Sequence, residues 1–204
     1  MKLGSVPPRL ILASASPRRR ELLQRAGVAF TVVPSNTLEA AQVGETPDAY
    51  TLRVAAEKAL DVARRHPGTW VLGADTIVEI DGEVLGKPRD ETEGKRMLHQ
   101  LSGRTHRVIT AFVLVDGGGQ VRASQAVTSM VTFKPLSEAQ IQEYLVTGEP
   151  FDKAGAYAVQ GLGASLIERV AGSYTNVVGL PLDEVVAVLR AAGLLLAQEP
   201  RTTS

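Results

Sequence analysis

Apolar residues along this chain fall into short continuous runs that alternate with longer stretches of helical spacing. The run at Arg9–Ala13 predicts a buried strand. Ser16 and Pro17 then supply a capping hydroxyl followed by proline at the first helical position. The helix they open runs through "PRRRELLQRA" and stops at Gly27, with Leu22, Leu23 and Ala26 on its inner side. Phe30–Val33 predicts a second strand. Thr46 and Pro47 repeat the start signal and open a longer helix to about Arg65, closed by Pro67 and Gly68.

Trp70–Leu72 predicts a strand running into "GADT", with Asp75 at its carboxyl end. Ile77–Leu85 predicts a hairpin turning at Asp81 and Gly82. Asp90 and Glu93 form a capping-box pattern for a helix ending near Leu101. Two β-rich stretches, Thr105–Val115 and Val121–Phe133, flank "DGGGQ" and predict a long antiparallel hairpin. Ser137 caps a helix to Thr147, with Gln140 in the reciprocal position. Ala156–Val159 and Leu166–Val170 predict short strands around a Gly-rich turn. Pro181 starts an amphipathic closing helix within Leu182–Ala197. Alternating helices and strands with a long hairpin predict an α/β fold on a mixed sheet. The pattern predicts one domain over residues 1–197, pinched into two lobes by a cleft, and a frayed tail over 198–204.

Charge and composition narrow the function. Lys plus Arg is 22 and Asp plus Glu is 22, so no global basic field exists to hold a nucleic acid polymer or an anionic membrane. Phosphate binding must come from local placement of a few cations. The absence of cysteine excludes disulfide scaffolds, thiolate zinc sites and thiol nucleophiles, and fits a reducing cytoplasm. His66, His99 and His106 are scattered, which argues against a histidine-rich metal site. No apolar run is long enough for a signal-peptide core or a membrane span, so a cytoplasmic protein is expected.

Several local patterns admit both a chemical and a plain structural reading. In "SASPRR", Ser14, Ser16 and the helix-start amides form an anion seat, with Arg18 and Arg19 as bidentate clamps, or else a capped surface helix with solvated arginines. Asp75 in "GADT" is a metal ligand, a general base, or a turn aspartate. Lys58 in "RVAAEKAL" lays its stem along an apolar helix face or snorkels to solvent. "GEVLGKP" is not a Walker loop, because three residues separate Gly82 from Gly86 and Pro88 follows Lys87. Lys87 remains a candidate lone phosphate cation on a stiff turn. Glu39 in "SNTLEAAQVGE" is a metal ligand on a loop or a solvated acid. Gln160 in "AGAYAVQGLGASLI" offers a donor and an acceptor to a base edge, and Gly161 and Gly163 would let a flat ring approach the backbone; the alternative is a hairpin turn. Ser173, Tyr174 and Asn176 in "GSYTNVVGLPL" form a polar loop patch open to both readings.

Taken in order, "LILASASPRRRELL", "AAEKA", "VLGADTIV", "GKP", "LSGRTHRVITA", "DKAGAYAVQG" and "GSYTNVVGLPL" resemble the Maf family of nucleoside triphosphate pyrophosphatases, from about Leu10 to Leu189. The resemblance implies a mixed, strongly bent sheet flanked by helices, with a deep cleft between two lobes, similar to the inosine triphosphate pyrophosphatases. It implies hydrolysis of a nucleoside triphosphate to the monophosphate and pyrophosphate, with a divalent cation such as Mg²⁺, Mn²⁺ or Co²⁺, and a homodimer. By position, Asp75 matches the family's proton acceptor. Arg18, Lys58 and Lys87 match its phosphate-binding cations, Ser14 and Ser16 its anion seat, and Glu39 an acid near the metal. Arg18, Thr76 and Gln160 match positions tied to substrate choice, and "AGAYAVQG" resembles the branch acting on dTTP and UTP. Leu38 stands where the family often has a second acid, which weakens a metal site built on two adjacent carboxylates. The competing expectation is a nucleotide-binding regulator of septum formation without turnover. A pyrophosphate-releasing nucleotidyltransferase would need a second substrate site, for which no motif is present.

Overall fold

A computed structural model describes residues 10–195. The first residue of the strand expected from Arg9, the end of the closing helix and the tail at 198–204 lie outside the described residues. Strand β1 (Leu10–Leu12) is buried throughout and leads to helix α1 (Pro17–Arg25), whose N-cap Ser16 accepts from the Arg19 amide. Strand β2 (Thr31–Val32) pairs parallel with β1. Helix α2 (Pro47–Arg65) is capped by Thr46 and buries Thr51, Val54, Ala55, Lys58, Ala59 and Val62 as one stripe. The stripe follows the i, i+4 spacing of a helix face, so Lys58 is carried inward with its apolar neighbours.

Strand β3 (Trp70–Ile80) is continuous over 11 residues, so the strand expected at Trp70–Leu72 and the first arm of the hairpin expected at Ile77–Leu85 are one element. It turns at Asp81 and Gly82 into β4 (Glu83–Leu85). Helix α3 (Glu91–Leu101) carries half of the expected capping box. Asp90 accepts from the Glu93 amide at 2.8 Å, but Glu93 reaches back to the Arg89 amide, also at 2.8 Å, because its carboxylate is drawn to the Arg89 guanidinium. The hairpin of β5 (Thr105–Val115) and β6 (Val121–Phe133) has the expected bounds. Helix α4 (Glu138–Val146) carries a complete capping box between Ser137 and Gln140. Strand β7 (Ile167–Ala171), α5 (Tyr174–Val178) and α6 (Leu182–Ala191) complete the chain.

The expected strand at Ala156–Val159 does not form. This segment follows a 3-10 turn at Ala154–Ala156 in which Gly155 and Ala156 both take positive φ, and a second 3-10 turn spans Gly161–Leu166. The polar patch at Ser173–Asn176 is likewise the start of α5 rather than an open loop. Asn176 is fully buried and donates to Val108 O (3.1 Å) and Ser129 Oγ (2.9 Å).

One seven-stranded mixed sheet results, in the order β2-β1-β3-β5-β6-β7, with β4 added to the end of β3. Its first three neighbours are parallel, whereas β3, β5, β6 and β7 are successively antiparallel. Side chains alternate across it. Leu72 and Ala74 join a core with α1 and α6, Val71 joins a second core with α2 on the opposite face, and α3 and α4 cover a third core around Val78 and Phe133.

Candidate active site

The cleft arises from an interruption in strand pairing. β1 pairs with β3 only from Trp70 to Leu72, and β4 pairs with β3 only from Val78 onward. Between them β3 runs without a strand on that flank, and a cleft of about 620 Å³ opens there. That is the size of a small-molecule site. Asp75 is therefore not at the end of its own strand. It lies in mid-strand, paired to Ala111 of β5, just beyond the end of β1, in the kind of crevice where α/β sheets bind ligands.

Gly73 lets α2 lie on this stretch, since a Cβ there would come within 2.5 Å of Ala55 O and 2.7 Å of Ala59 N. That close approach brings Lys58 to Asp75: Nζ donates to Oδ1 at 2.8 Å, with both side chains buried. Glu39, from the loop after β2, meets the same ammonium at 2.6 Å. Two carboxylates thus converge on one cationic point. Burial works against ionisation of Glu39, but the hydrogen bond and charge of Lys58, with the charges of Lys87 and Arg19, hold its carboxyl below the usual range. The loop is fastened to α2 at both ends. Asp61 accepts from Ser35 Oγ and the Asn36 amide, each at 3.1 Å, while Arg53 donates to Ala40 O at 2.9 Å and grips Glu45. Leu38 is 87% exposed and does not line the cleft.

On the opposite face of β3, Thr76 meets Arg19 of α1. Arg19, not Arg18, is the buried arginine of the triplet. It donates to Gly179 O (2.8 Å), Ser14 Oγ (3.1 Å), Ala74 O (2.9 Å) and Thr76 Oγ1 (2.9 Å). Burial lowers its pKa, and the charge of Asp75 works in the other direction. Thr110 gives its single hydroxyl proton to Asn176 O at 2.9 Å, so Thr76 accepts from Arg19 and shares its own proton between Thr110 at 2.9 Å and the longer contact to Gly179 O at 3.4 Å. A directed chain from Arg19 to α5 thus fixes the Thr76 rotamer.

The nine residues that the family resemblance assigns to the site all line this cleft, whereas Ser173, Tyr174 and Asn176 do not. Ser14, Ser16 and Arg18 form one wall, although two amides of the anion seat are already satisfied internally: Ser16 N–H donates to Ser14 Oγ and Arg19 N–H to Ser16 Oγ. Lys87 lies exposed on the turn after β4, and Gln160, also lining the cleft, is half-buried. Gly161 and Gly163 do not leave room for a ring. The Cβ position of Gly161 is filled by the Glu149 carboxylate at 2.5 Å, and that of Gly163 by Ala158 O at 2.4 Å and the Tyr144 hydroxyl at 2.6 Å.

Three further cleft residues escaped the sequence reading. Tyr50 of α2 lines the site, and its pKa is raised by burial and by the charges of Asp75 and Glu39. Asp152 faces Arg18 at 3.8 Å and also pairs with Lys153, whose side chain is 13% exposed and lines the cleft. Lys153 falls within the "DKAGAYAVQG" block, but no periodicity marks it, because its segment is irregular.

The fold and site define a mixed α/β protein with a cleft that sets buried carboxylates beside several cations. Residues 9–192 match the family described as Maf-like protein, and the chain belongs to that family. Its curated relatives include dTTP/UTP pyrophosphatases of Geobacter metallireducens and Myxococcus xanthus. The first is 51% identical over 92% of this chain and 97% of that protein. The second is 52% identical over 92% of this chain and 94% of that protein. Another protein of that name, from Anaeromyxobacter dehalogenans, is 51% identical over 94% of this chain and 98% of its own length.

Proposed function

We propose that this protein is a nucleoside triphosphate pyrophosphatase that hydrolyses dTTP and UTP to the nucleoside monophosphate and pyrophosphate. The observation that carries the reading is the convergence of Glu39 and Asp75 on Lys58 at the base of a cleft that Arg18, Lys87 and Gln160 also line. The activity for which relatives about half identical to this chain are named supports it.

The donor set fits a divalent cation of the Mg²⁺ type, which takes one or two protein carboxylates and completes its shell with water and substrate phosphate oxygens. Among the described residues no cluster of three or more acidic, His or Cys ligands exists, so an all-protein cage is not the mode of binding. Glu39 and Asp75 would hold the ion, whose charge and Lewis acidity would then act on the bound phosphates. Asp75 accepts a proton from a water directed at the α-phosphorus. The new bond joins the water oxygen to that phosphorus, and the bond to the bridging oxygen breaks, so that pyrophosphate leaves. Lys58, Lys87 and Arg18 hold the phosphates and offset charge on the leaving group. Gln160 pairs with the pyrimidine edge, whose acceptor–donor–acceptor pattern an amide satisfies in part.

The test is pyrophosphate release from a panel of nucleoside triphosphates with Mg²⁺, Mn²⁺ or Co²⁺, and again after chelation. Rapid release from dTTP and UTP, abolished by chelator, is expected. Release from purines alone would overturn the base assignment. Tight nucleotide binding without release from any triphosphate would replace hydrolysis with a sensing role.

A further inference from the structure

The carboxylate of Glu149 makes contacts that the chemistry above does not use. It sits in the 3-10 turn Glu149–Asp152, directly after α4 and the left-handed Gly148. Oε1 accepts from the Gly163 amide and the Tyr144 hydroxyl, both at 2.9 Å, and Oε2 accepts from the Leu162 amide at 3.0 Å. Tyr144, having given its proton to Glu149, accepts from the Ala158 amide at 3.1 Å. The anchored amides at 158, 162 and 163 bracket Val159 and Gln160, the residues this stretch presents to the cleft.

Steric fit points the same way. A side chain at Gly161 would occupy the place of the Glu149 carboxylate, and one at Gly163 would strike the Tyr144 hydroxyl. The two glycines admit the anchor to the backbone. No regular strand or helix holds the segment from 157 to 160, so the anchor supplies order that a ladder would otherwise provide. Its amides in turn favour the ionised carboxylate, and together with the Tyr144 hydroxyl they outweigh burial and keep it below the usual range.

We propose that Glu149 is the positioning residue of the base subsite: it holds the backbone on the C-terminal flank of Gln160 directly and on the N-terminal flank through Tyr144, and so places the side chain that discriminates a uracil or thymine edge from a cytosine edge. This rests on the pyrimidine reading of the site. Glu149 lies outside the Asp75–Lys58 center and touches neither residue, so its effect falls on base recognition and not on bond cleavage. Glu149→Gln is the informative variant. Its amide NH₂ must face one of the amide or hydroxyl donors, so at least one anchor is lost while size is kept.

The experiment measures equilibrium binding of dTTP and dCTP in the presence of Ca²⁺, and steady-state pyrophosphate release, for wild type, Glu149→Gln and Glu149→Asp. For Glu149→Gln we expect KM and Kd for dTTP to rise about tenfold, the scale of one lost charge-assisted bond, with kcat held within about threefold. The dTTP-over-dCTP preference should shrink by a similar factor. Glu149→Asp, one methylene short of the amides, should shrink it as far or further. Unchanged preference in both variants overturns the proposal. So does an equal loss of kcat on every triphosphate at unchanged KM, which marks a structural role only. Wild-type protein that prefers no uracil or thymine nucleotide in binding overturns the pyrimidine reading and this inference with it. Wild-type preference in binding without any release overturns hydrolysis alone, and the binding ratios still decide the role of Glu149.

Discussion

Lys58 and Asp75 form a buried ion pair at 2.8 Å, built across the contact between α2 and β3. Such a pair has two consequences that separate on mutation. Asp75→Asn is expected to lower turnover by about 10²–10⁴-fold, the usual loss for a general base, while dTTP still binds. Pyrophosphate release and equilibrium binding read the two effects, and near wild-type turnover would remove Asp75 from the chemistry. Lys58→Met leaves the carboxylate buried without its partner and should lower the unfolding free energy by about 3 kcal/mol. The double variant should regain most of that stability and none of the activity, as urea unfolding would reveal.

Arg18 and Arg19 are neighbors with opposite duties. Arg19 is buried and spends its donors on Gly179, Ser14, Ala74 and Thr76, so Arg19→Lys should cost about 2 kcal/mol of stability, since an ammonium cannot reproduce the fork. Arg18 is half-buried and faces Asp152 at 3.8 Å. Arg18→Ala should leave stability within about 0.5 kcal/mol and raise KM for the triphosphate. Paired unfolding and kinetic measurements test the contrast, and the reverse pattern would exchange the two assignments.

Gly73→Ala should act on both faces of the same contact. The added Cβ meets backbone atoms of Ala55 and Ala59, which cannot give way as a flexible side chain would. We expect a loss of about 2 kcal/mol or more and a fall in turnover from displacement of Lys58. Wild-type unfolding and kinetics in this variant would contradict the close helix–strand approach.

His106 predicts an acid-side loss of stability. It is 1% exposed, and burial drives its pKa down to about 4. The unfolded chain titrates near 6.5, so between these values it binds a proton that the folded chain refuses. Stability therefore falls as pH drops through this window, by about 1.4 kcal/mol per pH unit where the slope is steepest, and this group adds no slope above about pH 7. His106→Gln should flatten the urea-unfolding profile across the window. Equal slopes in the two proteins would show that the histidine is not the cause.

Local signals in the sequence were readable where local physics decides. Ser16, Thr46 and Ser137 each cap the expected helix, and the β5–β6 hairpin begins and ends where its β-rich runs do. Four-residue spacing places Lys58 in an apolar stripe, but a snorkelling lysine has the same spacing, and only the buried Asp75 across the contact decides for the inward course. What failed depended on distant partners. "GADT" looks like a strand end until β5 supplies a full ladder to Asp75 and Thr76. The choice between Arg18 and Arg19 is set by which guanidinium reaches Gly179, 160 residues away. Gly161 and Gly163 look like room for a ligand because the Glu149 and Tyr144 side chains that fill it come from another part of the chain.

The adjacency of Asp75 and Thr76 makes the site a matter of odd and even. One side chain answers to a lysine above the sheet, the next to an arginine below it, and only strand parity decides which. A single residue inserted just before Gly73 would keep every chemical group in the protein yet turn the carboxylate to the arginine and leave the methyl of Ala74 before the lysine. The length of that strand up to Asp75 is therefore as much a part of the candidate catalytic apparatus as the carboxylate itself.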